Sequence, residues 1–151
     1  MTNPADITAR IITLGTTISG VFTADDELPA SLTDAQLPFL LVVDSGANYS
    51  AEDSETIRIT RDFTLYLWVK AFEQGSLTSE KTARDACQPF LASVPKFFWG
   101  RRQLQTATDT GVASVRLAAL VRDEGAQAMT HNQRYFYGVP FRLSVTYTDV
   151  L

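Results

Sequence analysis

Two long segments of the chain alternate between apolar and polar residues. From Thr56 to Lys70, and again from Tyr135 to Tyr147, the odd positions are mostly large and apolar. A period of two is typical of a β-strand with one buried face, because successive side chains point to opposite faces. Strands usually contain about 5–6 residues, so strands of this length would overhang the core of a small domain. We therefore expect hairpin arms whose aromatic residues, including Tyr135 and Tyr137, contact another chain.

Helical periodicity is present in two other segments. Asn3 is a good N-cap, Pro4 fits the first helical position, and an apolar stripe follows before a stop at Gly20. The stripe consists of Ile7, Ile11, Leu14 and Ile18. A second helix is predicted for residues 78–94, with Ala83, Cys87, Phe90 and Val94 on one face. Pro89 should kink or split it, because proline removes a backbone hydrogen bond and clashes with the preceding turn.

The remaining segments predict two more strands and several loops. An apolar run at residues 37–44 predicts a strand buried on both faces, and a weaker alternation at 112–122 predicts another. Residues 45–55 and 123–132 are polar and lack periodicity, so we expect projecting loops there. The acidic run at 25–27 lacks the spacing and central glycine of an EF-hand loop, which favours a solvated turn over a calcium site.

The order of elements is helix, strand, strand, helix, strand, strand. It predicts one α+β domain over residues 1–151, with a mostly antiparallel sheet, long hairpins and two helices packed on one face. The composition, 45% hydrophobic and 20% charged, is that of an ordinary globular protein. Gly138 and Pro140 fall within the last strand, and proline there predicts an edge position or a bulge. An edge strand would leave backbone groups open to a partner.

Charge is distributed unevenly, although the net charge is only −4. Residues 1–75 contain four basic and eleven acidic side chains, whereas residues 76–151 contain nine basic and six acidic ones. The two halves therefore carry net charges of −7 and +3. Such asymmetry can align copies head to tail, and chance scatter explains it equally well. The net acidity argues against a dedicated nucleic-acid binder, because phosphate contacts need clustered Lys and Arg.

The chain contains few residues of the types that carry catalysis. Its single histidine, His131, falls in a predicted loop, and its single cysteine, Cys87, falls on a predicted helix. Two such residues cannot supply a structural zinc site, and the glycines form no phosphate-binding or dinucleotide motif. No apolar run is long enough to span a bilayer, and residues 1–12 lack the pattern of a secretory signal. We expect no enzymatic activity, no metal, no cofactor and no membrane association.

The best candidate for a recognition surface is the segment PKFFWGRR at residues 95–102. It contains Phe97, Phe98, Trp99, Arg101 and Arg102. Aromatic and arginine side chains together can form protein interface hot spots or stack on nucleic-acid bases. The alternative is structural: Phe97 and Phe98 complete the core while the two arginines are solvated.

Two further aromatic residues interrupt the polar face of the first long strand. Tyr66 and Trp68 occupy even positions, whose neighbours are mostly polar. Such residues either support the packing of a helix or meet a neighbouring subunit. Both interpretations stay open at this point.

Five segments account for most of the predicted helices and strands of the chain. They are NPADITARIITLGTTI, LPFLLVV, TIRITRDFTLYLWVK, TSEKTARDACQPFLASV and QRYFYGVPFRLSVTYTDV. In order and length they resemble tail terminator (tail-completion) proteins of long-tailed bacteriophages. The resemblance covers nearly the whole chain and involves no single diagnostic motif.

The resemblance implies a structural protein of the virion tail or neck, assembled in the host cytoplasm. Such a protein forms a ring, commonly a hexamer, that caps the tail tube and offers a surface for joining the head. Its partners would be copies of itself, the tail tube protein and the head–tail connector protein, and it would have no active site.

Two other functions remain as alternatives. Head–tail connector proteins share parts of this order of segments, so a neck protein is the first alternative. A small ligand-binding or enzymatic α+β domain is the second. It would require a concave apolar pocket with convergent polar groups.

Overall fold

The computed structural model describes residues 2–150 as helices packed on a six-stranded sheet. The helices are α1 (Pro4–Gly15), α2 (Leu77–Ala86) and α3 (Gln88–Trp99), with a short 3-10 turn at Asp34–Gln36. The strands are β1 (Thr23–Asp25), β2 (Phe39–Ala51), β3 (Thr56–Phe72), β4 (Val115–Asp123), β5 (Gln127–His131) and β6 (Arg134–Val150). The sheet order is β1-β2-β3-β6-β4, and β5 also pairs with β6. Only β1 and β2 are parallel.

The predicted α+β class and mostly antiparallel sheet are confirmed. The predicted domain range also includes residues 1 and 151, which lie outside the described residues.

The two long strands lie side by side at the centre of the sheet. β3 and β6 contain 17 residues each. Their antiparallel register runs from Thr56 opposite Val150 to Phe72 opposite Tyr135. The predicted long hairpins are present, β2 with β3 and β4 and β5 with β6, but the two long strands also pair with each other and do not project as free arms. Their length is used in pairing with each other, which extends both strands well beyond the usual size.

Pro140 lies in this central strand and not at a sheet edge, which corrects the prediction made from proline. Its carbonyl accepts a hydrogen bond of 2.9 Å from the N–H of Glu124. The amide and carbonyl of one strand residue point to the same side, so the missing N–H of Pro140 also points there. On that side β4 pairs with β6 as far as Phe141, and β5 takes over at Gly138. Pro140 falls between these partners, where no ladder bond is lost.

Both predicted projecting loops contain strand residues. β2 continues through a bulge between Asp44 and Ala47, and only residues 52–55 form the turn to β3. The Asp53 carboxylate closes this turn by accepting hydrogen bonds from two backbone N–H groups. Within residues 123–132, β5 pairs with β6. Strand pairing uses backbone groups, so exposed edge segments can be polar and lack a hydrophobic period.

The helices cover one face of the sheet and enclose the main core. The Asn3 side chain accepts a hydrogen bond from the N–H of Ala5, which confirms the predicted cap. α1 ends at Gly15, earlier than predicted, where an added Cβ would lie 2.8 Å from the Leu40 side chain. The predicted second helix divides at Cys87, with Pro89 in the first turn of α3. The predicted split is confirmed, but α3 continues through Pro95 to its end.

A smaller core lies on the opposite face of the sheet. Its buried residues are Leu32, Phe39, Trp68 and Phe136. The segment from residues 26 to 38 and strand β5 cover it, and polar contacts from His131 and Arg134 hold that segment in place. The His131 Nε2 lies 2.7 Å from the Pro29 carbonyl oxygen, and Arg134 donates a 2.8 Å hydrogen bond to the Leu32 carbonyl. His131 is thus the last residue of a strand and not a loop residue.

A substitution at Gly138 tests how closely the strands β5, β6 and β3 approach one another. A Cβ added at this position would collide with the Met129 side chain and the Leu67 carbonyl. We expect Gly138→Ala to lower the free energy of unfolding by about 1–3 kcal/mol, as overpacked substitutions do. Urea denaturation followed by circular dichroism measures the change through the transition midpoint.

Gly100→Ala is the matched control. Gly100 has a φ of −79°, and its nearest neighbour in the space for a Cβ is a carbonyl oxygen at 3.7 Å. Its unfolding free energy should change by less than about 0.5 kcal/mol. Equal effects of the two substitutions would contradict the packing described for Gly138.

Candidate functional site

The aromatic cluster predicted as a recognition surface divides between the core and the surface. Phe98 is fully buried at 0% exposure, whereas Trp99 is 71% exposed. Phe97 is half-buried and packs edge to face on Phe98, with ring centroids 5.2 Å apart. Adjacent helix residues point about 100° apart, which explains the difference. The sequence contained this signal, because the stripe of Phe90 and Val94 continues four residues later at Phe98.

The two arginines that follow also have different roles. The Arg101 guanidinium lies 3.8 Å from the centroid of the Phe97 ring and donates a 3.1 Å hydrogen bond to the Phe97 carbonyl. It therefore satisfies a free carbonyl at the end of α3. Arg102 is exposed, while its backbone carbonyl accepts a 2.6 Å hydrogen bond from the N–H of Ala118 in β4. Of the two side chains, that of Arg102 is the accessible one.

Tyr66 and Trp68 support internal packing. Trp68 is 6% exposed and lies in the smaller core, and Tyr66 packs against that core. They support the covering segment and β5 instead of a helix, which the sequence did not predict. The Trp68 Nε1 is buried and has no hydrogen-bond partner among residues 2–150. Its side chain is not accessible to a neighbouring subunit in this fold.

Tyr135 and Tyr137 are engaged at the other end of β6. Tyr137 is 7% exposed and donates a 2.9 Å hydrogen bond to the Glu80 carboxylate on α2. This hydrogen bond raises the pKa of Tyr137 above its ordinary value. Tyr135 packs on Phe72, with ring centroids 5.9 Å apart. Both tyrosines stabilise contacts within the subunit.

The outer edge of β4 is the first surface with features of an interface. We call it the β4 edge: residues 115–123 together with Trp99 and Arg102. Leu117 and Val121 are 42% and 57% exposed there. An apolar groove of about 230 Å³ lies between α3 and β4, lined by Pro95, Trp99, Arg102 and residues 117–120. Within the described part of the chain, no strand pairs with the outer side of β4.

The outer edge of β2 lies on the opposite side of the sheet. We call it the β2 edge: residues 43–51 together with the turn at 52–55. β1 pairs only with residues 39–41, so among residues 2–150 no strand covers the rest of this side. Val43 and Tyr49 are 36% and 60% exposed there. The sequence prediction missed this edge because its polar composition resembles that of a loop.

The two edges carry opposite charge. Residues 43–55 contain four acidic and no basic side chains. Residues 96–122, which end α3 and form most of the β4 edge, contain five basic and one acidic side chain. The charge asymmetry along the sequence is therefore also an asymmetry across the sheet. Complementary potentials of this kind orient approaching surfaces and select partners.

Ion pairs fix the position of the β2 edge. Arg61, whose side chain is 13% exposed, donates hydrogen bonds to Asp44 at 2.8 Å and to the Tyr49 hydroxyl at 3.3 Å. Its hydrogen bond to the Tyr147 hydroxyl raises the pKa of Arg61. In the turn, Glu52 accepts hydrogen bonds from Arg58 and Arg116, and these lower the pKa of Glu52 below its ordinary value. These contacts hold the β2 edge in one conformation before any partner binds.

The single cysteine of the chain lies in the main core. Cys87 is fully buried, and this burial raises the pKa of its thiol to about 11. No cluster of three or more His, Cys, Asp or Glu side chains suitable for a metal occurs in residues 2–150. Among the same residues, no helix has the length and apolarity needed to cross a bilayer.

Comparison with known proteins gives no family for the chain. No protein-family model matches it, and a search of curated proteins finds no matching sequence. Its function must therefore be inferred from its own surfaces. The pair of oppositely charged edges is the most specific of these.

The division between Phe98 and Trp99 can be tested with matched substitutions at adjacent positions. Phe98→Ala should lower the unfolding free energy by about 3–5 kcal/mol, because it removes a fully buried aromatic ring. Trp99→Ala should change the unfolding free energy of the dilute, unassembled protein by less than about 0.5 kcal/mol. Urea denaturation measures both. A large loss for Trp99→Ala would show that this ring belongs to the core.

Cys87 provides a second test of the core. A buried thiol with a raised pKa reacts slowly, because the thiolate is the nucleophile. At about pH 8, dithiobis(nitrobenzoate) should label the native protein very slowly and the denatured protein at once. A Leu77→Cys variant, at a position 82% exposed, should label rapidly in the native state. Rapid labelling of native Cys87 would contradict its burial.

Proposed function

We propose that this chain is a structural subunit of a long-tailed bacteriophage virion that assembles into a closed ring. The ring, in the first instance a hexamer, caps the tail tube and helps to join the tail to the head. The proposal is supported by the resemblance of the five segments to tail terminator proteins. It is also supported by the two edges of the sheet.

The observation that carries the proposal is the opposition of the two edges. Each has exposed apolar residues and unpaired strand, and their charges differ in sign. A patch that fits a different patch on the next copy makes a heterologous contact, and such contacts form rings when the rotation closes. A two-fold dimer formed through one edge alone would instead bring like charges together.

A ligand-binding or catalytic function has less support. The groove beside Trp99, at about 230 Å³, is smaller than ligand pockets of roughly 300–1,000 Å³. Two larger clefts, of about 540 Å³ beside Phe72 and Tyr135 and about 450 Å³ between α1 and β2, are more open to solvent than this groove. Arg102 is the one titratable residue that lines it. A shallow apolar groove at a sheet edge fits a protein side chain better than a small metabolite.

Negative-stain electron microscopy with mass photometry tests the proposal. We expect closed rings with one subunit number, either from the purified protein alone or after mixing with the tail tube protein of the same virion. Rings that bind the tube protein support a tail terminator. Rings that bind only the head–tail connector protein would favour the neck-protein alternative. Monomers under all these conditions would contradict the proposal.

Arg102→Glu is the corresponding charge variant. It reverses an exposed charge at the β4 edge, so it should reduce ring formation while leaving the thermal unfolding midpoint unchanged. Arg101 is left intact because its side chain ends α3. Lys81→Glu, at an exposed position on α2 (side chain 72% exposed), is the matched control and should assemble normally.

A further inference from the structure

We propose that the β4 edge of one copy receives the β2 edge of the next copy, so that the sheet continues from subunit to subunit. This inference rests on the proposed ring and identifies the contact that closes it. The partner is a second copy of this chain, bound through strand addition and one aromatic contact. Four features of the subunit support this pairing.

The first feature is strand direction. β2 is antiparallel to β3, β3 to β6, and β6 to β4. β2 and β4 therefore run in opposite directions within one subunit. A neighbour rotated about an axis roughly parallel to the strands would place its β2 antiparallel to β4. The antiparallel alternation of the sheet would then continue across the contact.

The second feature is the height of the two edges along the strands. The register places Asp44, Phe63, Leu143 and Leu120 in one row across the sheet. Tyr49, Ile59, Tyr147 and Val115 form another row. Residues 44–49 of β2 and 115–120 of β4 therefore lie at the same level. Two copies in a ring need little shift along the strands to bring them together.

The third feature is the face on which the aromatic residues lie. Tyr49 is opposite Ile59, whose side chain lies in the main core on the helix-covered face. The groove beside Trp99 opens on the same face, because α3 packs there against β4. In a continued sheet, Tyr49 of one copy approaches the groove of the next. Exposed aromatic residues that fill a partner's pocket are the usual hot spots of interfaces.

The fourth feature is the part of the β4 backbone that stays open. At Ala118 the outward N–H already donates a hydrogen bond to the Arg102 carbonyl, and the Gln103 side chain donates one to the Val115 carbonyl, so residues 102–103 cover the outer side of β4 there. By the alternation of antiparallel strands, the backbone groups of Leu120 point outward as well. Open edge groups are a template for an added strand. Arg116 pairs with Glu52 and Arg122 with Glu124 of their own subunit, so Arg102 is the arginine of the β4 edge left for an acidic side chain of the incoming strand.

Cysteine crosslinking tests the contact. Val43 and Arg122 lie in one row of the sheet, so Val43 and Val121 of adjacent copies should be close. Val43→Cys and Val121→Cys proteins are mixed under ring-forming conditions and treated with a short bismaleimide. We expect a covalent dimer that contains one copy of each variant, identified by gel electrophoresis and peptide mass spectrometry. Native Cys87 stays silent because it is buried.

The controls separate this contact from other arrangements. Each variant alone should give no dimer, because the contact joins two different edges. Leu77→Cys mixed with Val43→Cys should also give none, although Leu77 is 82% exposed. Adding Trp99→Ala to the Val121→Cys protein should lower the dimer yield about tenfold or more, as loss of an interface hot spot does.

The outcomes distinguish this contact from the proposed ring. Rings together with the mixed dimer support both. Rings without the mixed dimer overturn the contact and leave the ring proposal standing. Dimers of Val43→Cys with itself indicate a two-fold contact and overturn the inference. Absence of both rings and dimers overturns the contact and the proposed function together.

Discussion

The pairing of β3 with β6 is the constraint on which the rest of the structure depends. β3 lies in the middle of the element order and β6 at its end, yet they run antiparallel over almost their whole lengths. Their pairing brings residues 56–72 beside residues 134–150 and forms the centre of the sheet. β2 can then lie only on one side, and β4 and β5 only on the other. The two open edges are a consequence of this central pair.

The alternation of the central pair also divides the molecule into two faces. Odd-numbered apolar residues such as Phe63 and Leu143 face the helices and form the main core. The opposite face is covered at one end only, where Trp68 and Phe136 lie beneath the segment at 26–38. A sheet with one face packed and the other largely polar is common among antiparallel sheets. The aromatic residues on the polar face mark the end at which that face is covered.

The order of strands turns a charge bias along the chain into a charge difference across the sheet. β1 and β2 come from the acidic half, and β4 comes from the basic half, so the central pair keeps them apart. Ion pairs at Glu52 and Arg61 hold the acidic hairpin in place. Arg101 closes α3, leaving Arg102 at the basic edge. Several side chains of each charged region therefore serve the fold, while Glu55 and Arg102 remain at the surface.

Local signals in the sequence determined the α+β class, the cap at Asn3, the split near Pro89 and the two long strands. These features depend on neighbouring residues and on short periods, which a single sequence displays. Tertiary structure alone decided which strands pair, because backbone hydrogen bonds do not require particular side chains. For the same reason the polar segment at 45–51 proved to be an edge strand, and Pro140 a residue of the central strand. The candidate interface was predictable at Trp99 and Arg102, while its acidic counterpart became visible only once β2 was placed at the opposite edge.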